Sequence, residues 1–495
     1  MSKKLIAVGL LLAVITAAMA AACGESREQI ASDTTAASGG QETVTEPAET
    51  DVFEARAAVD DGLPEKDYGG RRFYILGHNE NQVAYFVAEE ENGDVMNDAL
   101  YQRNMTIEER FNVDLQFDVS KDMSTAASFV SKSTLAGEDA VDLISMHVVT
   151  VSGIVANDIV LNWYDIPYID FEKPWWSPSN ISDLTYNNVA LLAMGSYAMS
   201  TEAVTFCMFF NKRLADSYGI PDLYETVNNG QWTIDKLSET VNDVYTDLNG
   251  NSERDNDDFY GITIRAGGTH IAAFQWAFDN PVMVKDGSGR PTLVGNTEKM
   301  PVMLSKLCDL MHNNTGAMCT SDYNFYCNKF AKGETIFVLG CVYDSVNYFR
   351  DMEDNFGLIP YPKLNEEQPA YKTMVNGCHE AMAVSKAVSD PEYIGIITEA
   401  LCAETYKTVE PVYYDIVLKL KGARDETSIE MLDMIMNSRV YDFGFIYDNW
   451  KGPSFLLQDL AIQNKTDYAS AYAKKESSYI KHYDSVLAAF EVYMP

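Results

Sequence analysis

Beyond residue 70 the apolar residues of this chain fall into two alternating rhythms. Arg72 to Leu76 is a short apolar run suited to a buried strand. Met96, Leu100, Ile107 and Phe111 then recur at helical spacing, and Val113, Leu115, Phe117 and Val119 alternate with polar residues as a strand does. A helical stretch over 123–136 and a second apolar run, Val141 to Met146, repeat the unit. Strand, helix, strand in this order predicts a parallel sheet with right-handed crossovers. Farther on, Thr233 is placed as N-cap of a helix with Asp235 in its first turn and Leu237, Val241 and Val244 as its stripe. Residues 282–294 read as a β-hairpin turning at Gly287 and Gly289. Asp390 followed by Pro391 opens a helix that carries Ile394, Ile397 and Leu401 inward. The α/β alternation continues to the end without internal repeats.

The first 70 residues have a different pattern. Lys3 and Lys4 precede an apolar core, Leu5 to Ala18, and a small-residue stretch ending in Ala22-Cys23-Gly24, which reads as a lipoprotein signal over 1–22. Cys23 is then the expected lipidation site, anchoring the chain on the extracellular face of the cytoplasmic membrane. Residues 24–70 hold 12 acidic and 3 basic residues and almost no apolar periodicity. Residues 23–67 are therefore expected to be a disordered acidic linker outside the fold.

Composition narrows the partners. With 37 basic and 73 acidic residues the formal charge is −36, which repels nucleic acid and anionic lipid alike. The folded part exceeds what one core usually organises, so two lobes are expected. The seven cysteines beyond Cys23 form no C-x-x-C pair, and an odd number cannot all pair within one chain. A bridge among Cys308, Cys319 and Cys327 is compatible with export, and burial accounts for scattered thiols equally well. The six histidines show no zinc spacing.

Two features carry candidate chemistry. Sugar rings stack apolar faces on aromatic planes while their hydroxyls need carboxylates and amides. Trp175 and Trp176, between Lys173-Pro174 and Ser177, are the best such cluster; Trp276 and Tyr343 are weaker candidates, and Trp232 reads as core. Because 173–180 looks like a loop, at least one indole of the pair is expected to face solvent or ligand. The second feature is 247–258, where Asp247, Asn249, Asn251, Glu253, Asp255 and Asp258 fall at EF-hand ligand spacing. It departs from that motif at Ser252, where a glycine is usual, and at Asp258, where a glutamate is usual. A structural Ca2+ or a solvated acidic turn both fit; no other cofactor is implied.

From residue 187 the order of blocks becomes specific: Gly195-Ser196-Tyr197, VTFCMFFNK (204–212), LADSYGIPDLYE, NNGQWTIDKLSE, Phe259-Tyr260-Gly261-Ile262-Thr263, FGLIPYPKLNEEQPAYKT (356–373) and RVYDFGFIY (439–447). This order, with IPYIDFEKPWW (166–176) ahead of it, resembles the extracellular solute-binding proteins of ABC importers, of the maltose-binding-protein-like family. The resemblance implies an α/β, type II periplasmic-binding-protein-like fold with hinge-linked lobes and an interlobe ligand cleft. It further implies a monomer that captures a small molecule, an oligosaccharide in the first place, and delivers it to ABC permease subunits. Lobe 1 is expected over 68–200, lobe 2 over 201–345 and a return to lobe 1 over 346–495, with C-terminal helices contributing to both and crossings near Met199–Val204 and Val342–Phe356. A secreted glycoside hydrolase is the rival reading, because acids and aromatics also build that site. A sensory binding protein of the same fold is a third. No G-x-S-x-G, H-E-x-x-H or P-loop string favours other chemistry.

Overall fold

Two β-sheets organise the chain in the computed structural model, which describes residues 52–79, 85–155, 157–419 and 426–494. The signal segment, Cys23 and the linker as far as residue 51 lie outside the described residues. Among the described residues, nine strands of more than two residues build the two main sheets: β1 Arg71–Leu76, β2 Val113–Asp118, β3 Leu143–His147, β4 Phe206–Asn211, β5 Phe259–Arg265, β6 Ala317–Thr320, β7 Thr335–Cys341, β8 Phe356–Ile359 and β9 Glu380–Ala383; the two-residue strand Tyr245–Thr246 pairs antiparallel with the start of β5.

Lobe 1 has the order β9-β3-β1-β2. β1 runs parallel to β2 and β3, and β9 joins β3 antiparallel. The helices Val95–Phe111 and Met123–Leu135 supply the crossovers, with Met96, Leu100, Ile107 and Phe111 buried as their spacing requires. Asp94 caps the first helix by accepting from the Met96 and Asn97 N–H groups.

Lobe 2 has the order β8-β4-β7-β5, with β6 parallel on the outer side of β5. β4 is antiparallel to β7 and β8, and β7 is parallel to β5. Gly357 of β8 lies where a Cβ would come within 2.4 Å of both Phe210 Cε1 and the Tyr224 hydroxyl, so this strand pairs at that distance only without a side chain. Trp232 is core, donating from Nε1 to Pro360 O at 3.0 Å. Thr233 caps the helix Ile234–Val241, which ends at Asn242 and leaves Val244 beyond it. The hairpin pairs Met283–Lys285 with Pro291–Leu293.

Two expectations change here, the return to lobe 1 with its crossing near Val342–Phe356, and the extent of the linker. Residues 346–372, expected to return to lobe 1, stay in lobe 2, because β8 pairs with β4 (Phe356 opposite Asn211). The chain passes from lobe 1 to lobe 2 through Tyr197–Thr205 and back through Thr373–Glu380, where Thr205 bridges Val375. Residues 55–67 are not free linker. Arg56 pairs with Glu410 at 3.0 Å, Asp61 with Arg110 at 2.5 Å, and the neighbouring Tyr68 packs edge-on against Tyr393, so specific ion pairs dock a segment with little apolar periodicity. Cys308, Cys319 and Cys327 are free thiols, as are the other described cysteines. The C-terminal helices touch both lobes: Leu456–Ile462 packs on Lys299–Cys308 of lobe 2, while the Tyr493 hydroxyl donates to Val160 O in lobe 1.

Candidate ligand cleft between the lobes

Open α/β sheets bind ligands outside the carboxyl ends of their parallel strands. In lobe 1 those ends lead into His78 after β1 and His147 at the end of β3; in lobe 2 they lead into Arg265, Thr320 and Cys341. The two lobes touch beside the crossing. Asn347 of lobe 2 donates to the Tyr85 hydroxyl of lobe 1 at 3.4 Å, and the Met199 N–H at the crossing donates to Tyr85 O at 3.0 Å.

The lobe 2 wall is built on Asp344. Its Oδ2 accepts the Cys341 N–H at 2.9 Å, capping the helix Val342–Asn347 and fixing Tyr343 in that helix's first turn. The Tyr323 hydroxyl contacts both the Tyr343 hydroxyl and Asp344 Oδ1. Burial pushes the Asp344 carboxyl up to about 6, against the Tyr323 hydrogen bond, the Cys341 N–H and the Arg265 charge. Burial beside Asp344 pushes both phenols far up, so at neutral pH they remain hydroxyls. The Arg265 guanidinium lies over the Tyr323 ring at 4.4 Å. His270 is enclosed by Phe206, Tyr323 and Tyr326; desolvation and Arg265 hold its pKa well below the usual range, which keeps the ring neutral. Tyr85, Tyr323 and Tyr343 are half-buried and Asn347 is exposed. Aromatic faces, hydroxyl and amide groups and one guanidinium thus meet at one junction, a set suited to a polar ligand with apolar faces.

Of the sequence candidates, the structure brings only Tyr343 to this junction. Trp175 and Trp176 are both buried, 1% and 0% exposed, so neither indole faces solvent as expected. Their Nε1 atoms donate to the two oxygens of Glu399, at 2.8 and 2.9 Å. A buried carboxylate on the helix Pro391–Glu404 needs donors, and two adjacent indoles supply them. Gly195 fits under the Trp176 ring only because it lacks a Cβ, which would sit 2.7 Å from Cε3. The pair edges a cavity of about 230 Å³ with Asn180, Glu202, Glu410 and Arg439, whose charges are matched by the pairs Arg439–Glu202 (2.8 Å) and Arg56–Glu410 (3.0 Å). Trp276 is also buried and donates to Asp442 at 2.7 Å; Asp442 accepts further from Val282, Met283 and Gly444 N–H groups. Trp276 borders a second cavity of about 310 Å³ with Lys285, Lys372 and Asp183, and Tyr441 lines both cavities.

In the 247–258 loop, hydrogen bonds already occupy the oxygens. Asp247 accepts from Gly250 and Ser252 N–H, Asn251 Oδ1 from Glu253 N–H, and Asp255 from the Asn249 and Asn251 amides. Asp258 accepts from Leu248 and Asp255 N–H and from the Tyr245 hydroxyl. Ser252 takes φ +62° at the position where EF-hands place glycine.

Tyr85, Arg265, Tyr323, Asp344 and Asn347 were not singled out in the sequence. Arg265 ends β5, and Tyr323 and Asp344 lie in the first turns of the helices that follow β6 and β7, a position that would have found them; Tyr85 and Asn347 lie farther from any strand end and carry no such signal.

No protein-family profile matches the chain, and no curated protein matches it by sequence. Solved structures do. The GacH receptor of Streptomyces glaucescens, known unliganded and with acarbose, superposes with TM-score 0.54 at 12% identity, over 83% of this chain and 98% of that one. The maltose/maltodextrin-binding domain MalE of Bdellovibrio bacteriovorus, bound to maltotriose, gives 0.54 at 14% identity, over 84% and 99%. UgpB of Mycobacterium tuberculosis, in complex with glycerophosphocholine, gives 0.53 at 14% identity, over 86% and 100%. This is the two-lobed type II binding-protein fold. The junction of Tyr85 with Asn347 joins the two lobes, and the tryptophan pair belongs to the packing of lobe 1.

Proposed function

We propose that the chain is a solute-binding protein rather than an enzyme: it captures a small polar ligand, an oligosaccharide first, between its lobes and delivers it to an ABC permease. One observation carries the reading. Two sheets joined by two crossings bring Tyr85 of lobe 1 to Asn347 of lobe 2, on the helix that carries Tyr343 just past the carboxyl end of β7, where lobe closure would exclude water and couple binding to shape. The neighbours' ligands support a small polar solute. Lipidation at Cys23 would hold the protein on the extracellular face of the membrane, and the 247–258 loop keeps its reading as a structural calcium loop.

A thermal-shift screen with maltotriose, a glycan panel and glycerophosphocholine tests this. A ligand at 100 times its Kd stabilises by about 2.7 kcal/mol, so a saturating rise in Tm with a glycan is the expected result. A rise with glycerophosphocholine alone would replace the oligosaccharide with a phosphodiester, for which Arg265 is the available cation. No rise with any of them would remove the small-solute reading. For the anchor, Cys23→Ala should move the protein from the membrane fraction to the medium or block its processing.

A further inference from the structure

Three donor side chains that the cleft does not use meet inside lobe 1. His78 lies two residues past β1, His147 ends β3, and Glu380 opens β9 directly opposite His147 in the antiparallel register. One donor atom from each lies within 4.8 Å of the other two. Glu380 Oε1 is 3.9 Å from His147 Nε2, and the two imidazoles meet edge to face with centroids 4.1 Å apart. All three residues are at most 5% exposed.

Unmet polar atoms are the second observation. Both carboxylate oxygens of Glu380 and Nδ1 of His78 are buried without a hydrogen-bond partner. Ser200 Oγ accepts the Glu380 backbone N–H at 3.0 Å. Glu399 shows how this lobe treats a buried carboxylate it means to keep, with a donor on each oxygen. Buried polar groups left open in this way call for a missing partner, and two imidazoles facing the carboxylate make that partner a cation.

We propose that His78, His147 and Glu380 bind one first-row divalent cation of the zinc type, with a fourth position open to water or an incoming oxygen ligand. Two nitrogens and one carboxylate oxygen suit zinc and its neighbours; calcium and magnesium take six or more ligands, nearly all oxygen. Metal–ligand distances of about 2.0–2.2 Å place tetrahedral donors roughly 3.4 Å apart, so the set must close by on the order of 1 Å. His78 Nε2 accepts the His147 backbone N–H at 3.1 Å, a hydrogen bond that ion binding must displace. The inference stands apart from the solute-binding reading, since a protein of this fold can hold the ion whatever its ligand.

The test is cobalt(II) and zinc titration of the full chain after stripping with 1,10-phenanthroline. The parent chain should take up one equivalent of cobalt with the intense visible absorption of four-coordinate geometry. Zinc should raise Tm where magnesium does not. Glu380→Gln and His78→Gln should each weaken cobalt binding by ~100-fold or more, because each removes one of three ligands. Both should melt like the stripped parent chain, and should either fail to fold, the other carries the result. Asp247→Ala should leave the cobalt spectrum unchanged. No stoichiometric uptake by the parent chain, or the same affinity and spectrum in both ligand variants, would overturn the site.

Discussion

Each lobe buries a carboxylate against two aromatic donors, and the two arrangements serve different ends. In lobe 1 the indoles of Trp175 and Trp176 donate to Glu399, and all three side chains are closed off from water. In lobe 2 the Tyr323 hydroxyl links Asp344 to Tyr343, and both phenols remain half-buried beside Arg265 and the crossing. The chemistry is alike, but the position in the fold differs. The tryptophan pair sits behind the sheet against the helix Pro391–Glu404, whereas the tyrosine pair stands at the carboxyl ends of β6 and β7. By strand polarity the tyrosine pair, and not the tryptophan pair, stands where open α/β sheets bind ligands.

The sharpest way to break this contrast is Trp176→Ala. If the indole is packing, its loss should cost roughly 3–5 kcal/mol of unfolding free energy, through the cavity left and the Glu399 oxygen stripped of its donor. Ligand affinity in the protein that still folds should not change. Urea melts and a binding titration read both, and a stable variant with weakened binding would return the pair to the ligand site.

The next effect comes from pH. Burial pushes the Glu399 carboxyl from its ordinary 4.5 up to about 7, with the two indoles and the Asp170 N–H pulling the other way. The folded state thus holds this proton more tightly than the unfolded chain. Its contribution is complete below about pH 4.5 and lost as pH rises through about 7, on the order of 3 kcal/mol. Comparing urea melts of the parent chain and Glu399→Gln across pH 4.5–8, the parent should lose more stability. Equal slopes would mean that Glu399 does not titrate in this range.

Tyr343→Ala probes the other half of the comparison. It should cost about 1–3 kcal/mol of ligand affinity through lost stacking area, with a smaller change in stability than Trp176→Ala. Calorimetry with whichever solute raises Tm would read it. Unchanged affinity in Tyr343→Ala and Tyr323→Phe together would move the site away from this wall.

How much of this was legible in the sequence depends on the range of the interaction. Periodicity located β1, the helix Val95–Phe111, β2 and β3, because each buries a face set by local spacing. It missed that β8 stays in lobe 2, since pairing with β4, 145 residues earlier at Phe356 and Asn211, leaves no local trace. The docking of 55–67 was hidden for the same reason, its ion pairs reaching Arg110 and Glu410. Adjacent tryptophans in a Pro-Ser-Asn context looked exposed because Glu399, which receives both indoles, lies more than 220 residues away. Tyr343 was found by its place near a lobe edge; Tyr323 carries the same kind of signal, opening the helix after β6, whereas Tyr85 reaches Asn347 across 262 residues and nothing local marks it.

The smallest effect is expected at the third carboxylate-rich place, 247–258, which extends the comparison to the surface. There most acids are exposed and satisfied by the loop's own N–H groups and amides, and Asp255 is held below the usual carboxylate range by its hydrogen bonds to the Asp257 N–H and the two asparagine amides. A loop so preformed gains from calcium only what the ion adds beyond those bonds. With Kd in the 10⁻⁴–10⁻³ M range of extracellular modules, EGTA should lower Tm by about 1 °C, and Asp247→Ala should abolish the difference. If the parent chain melts identically with EGTA and with millimolar calcium, the loop is a self-contained turn, and donors alone, without a metal, account for its acids as the indoles account for Glu399.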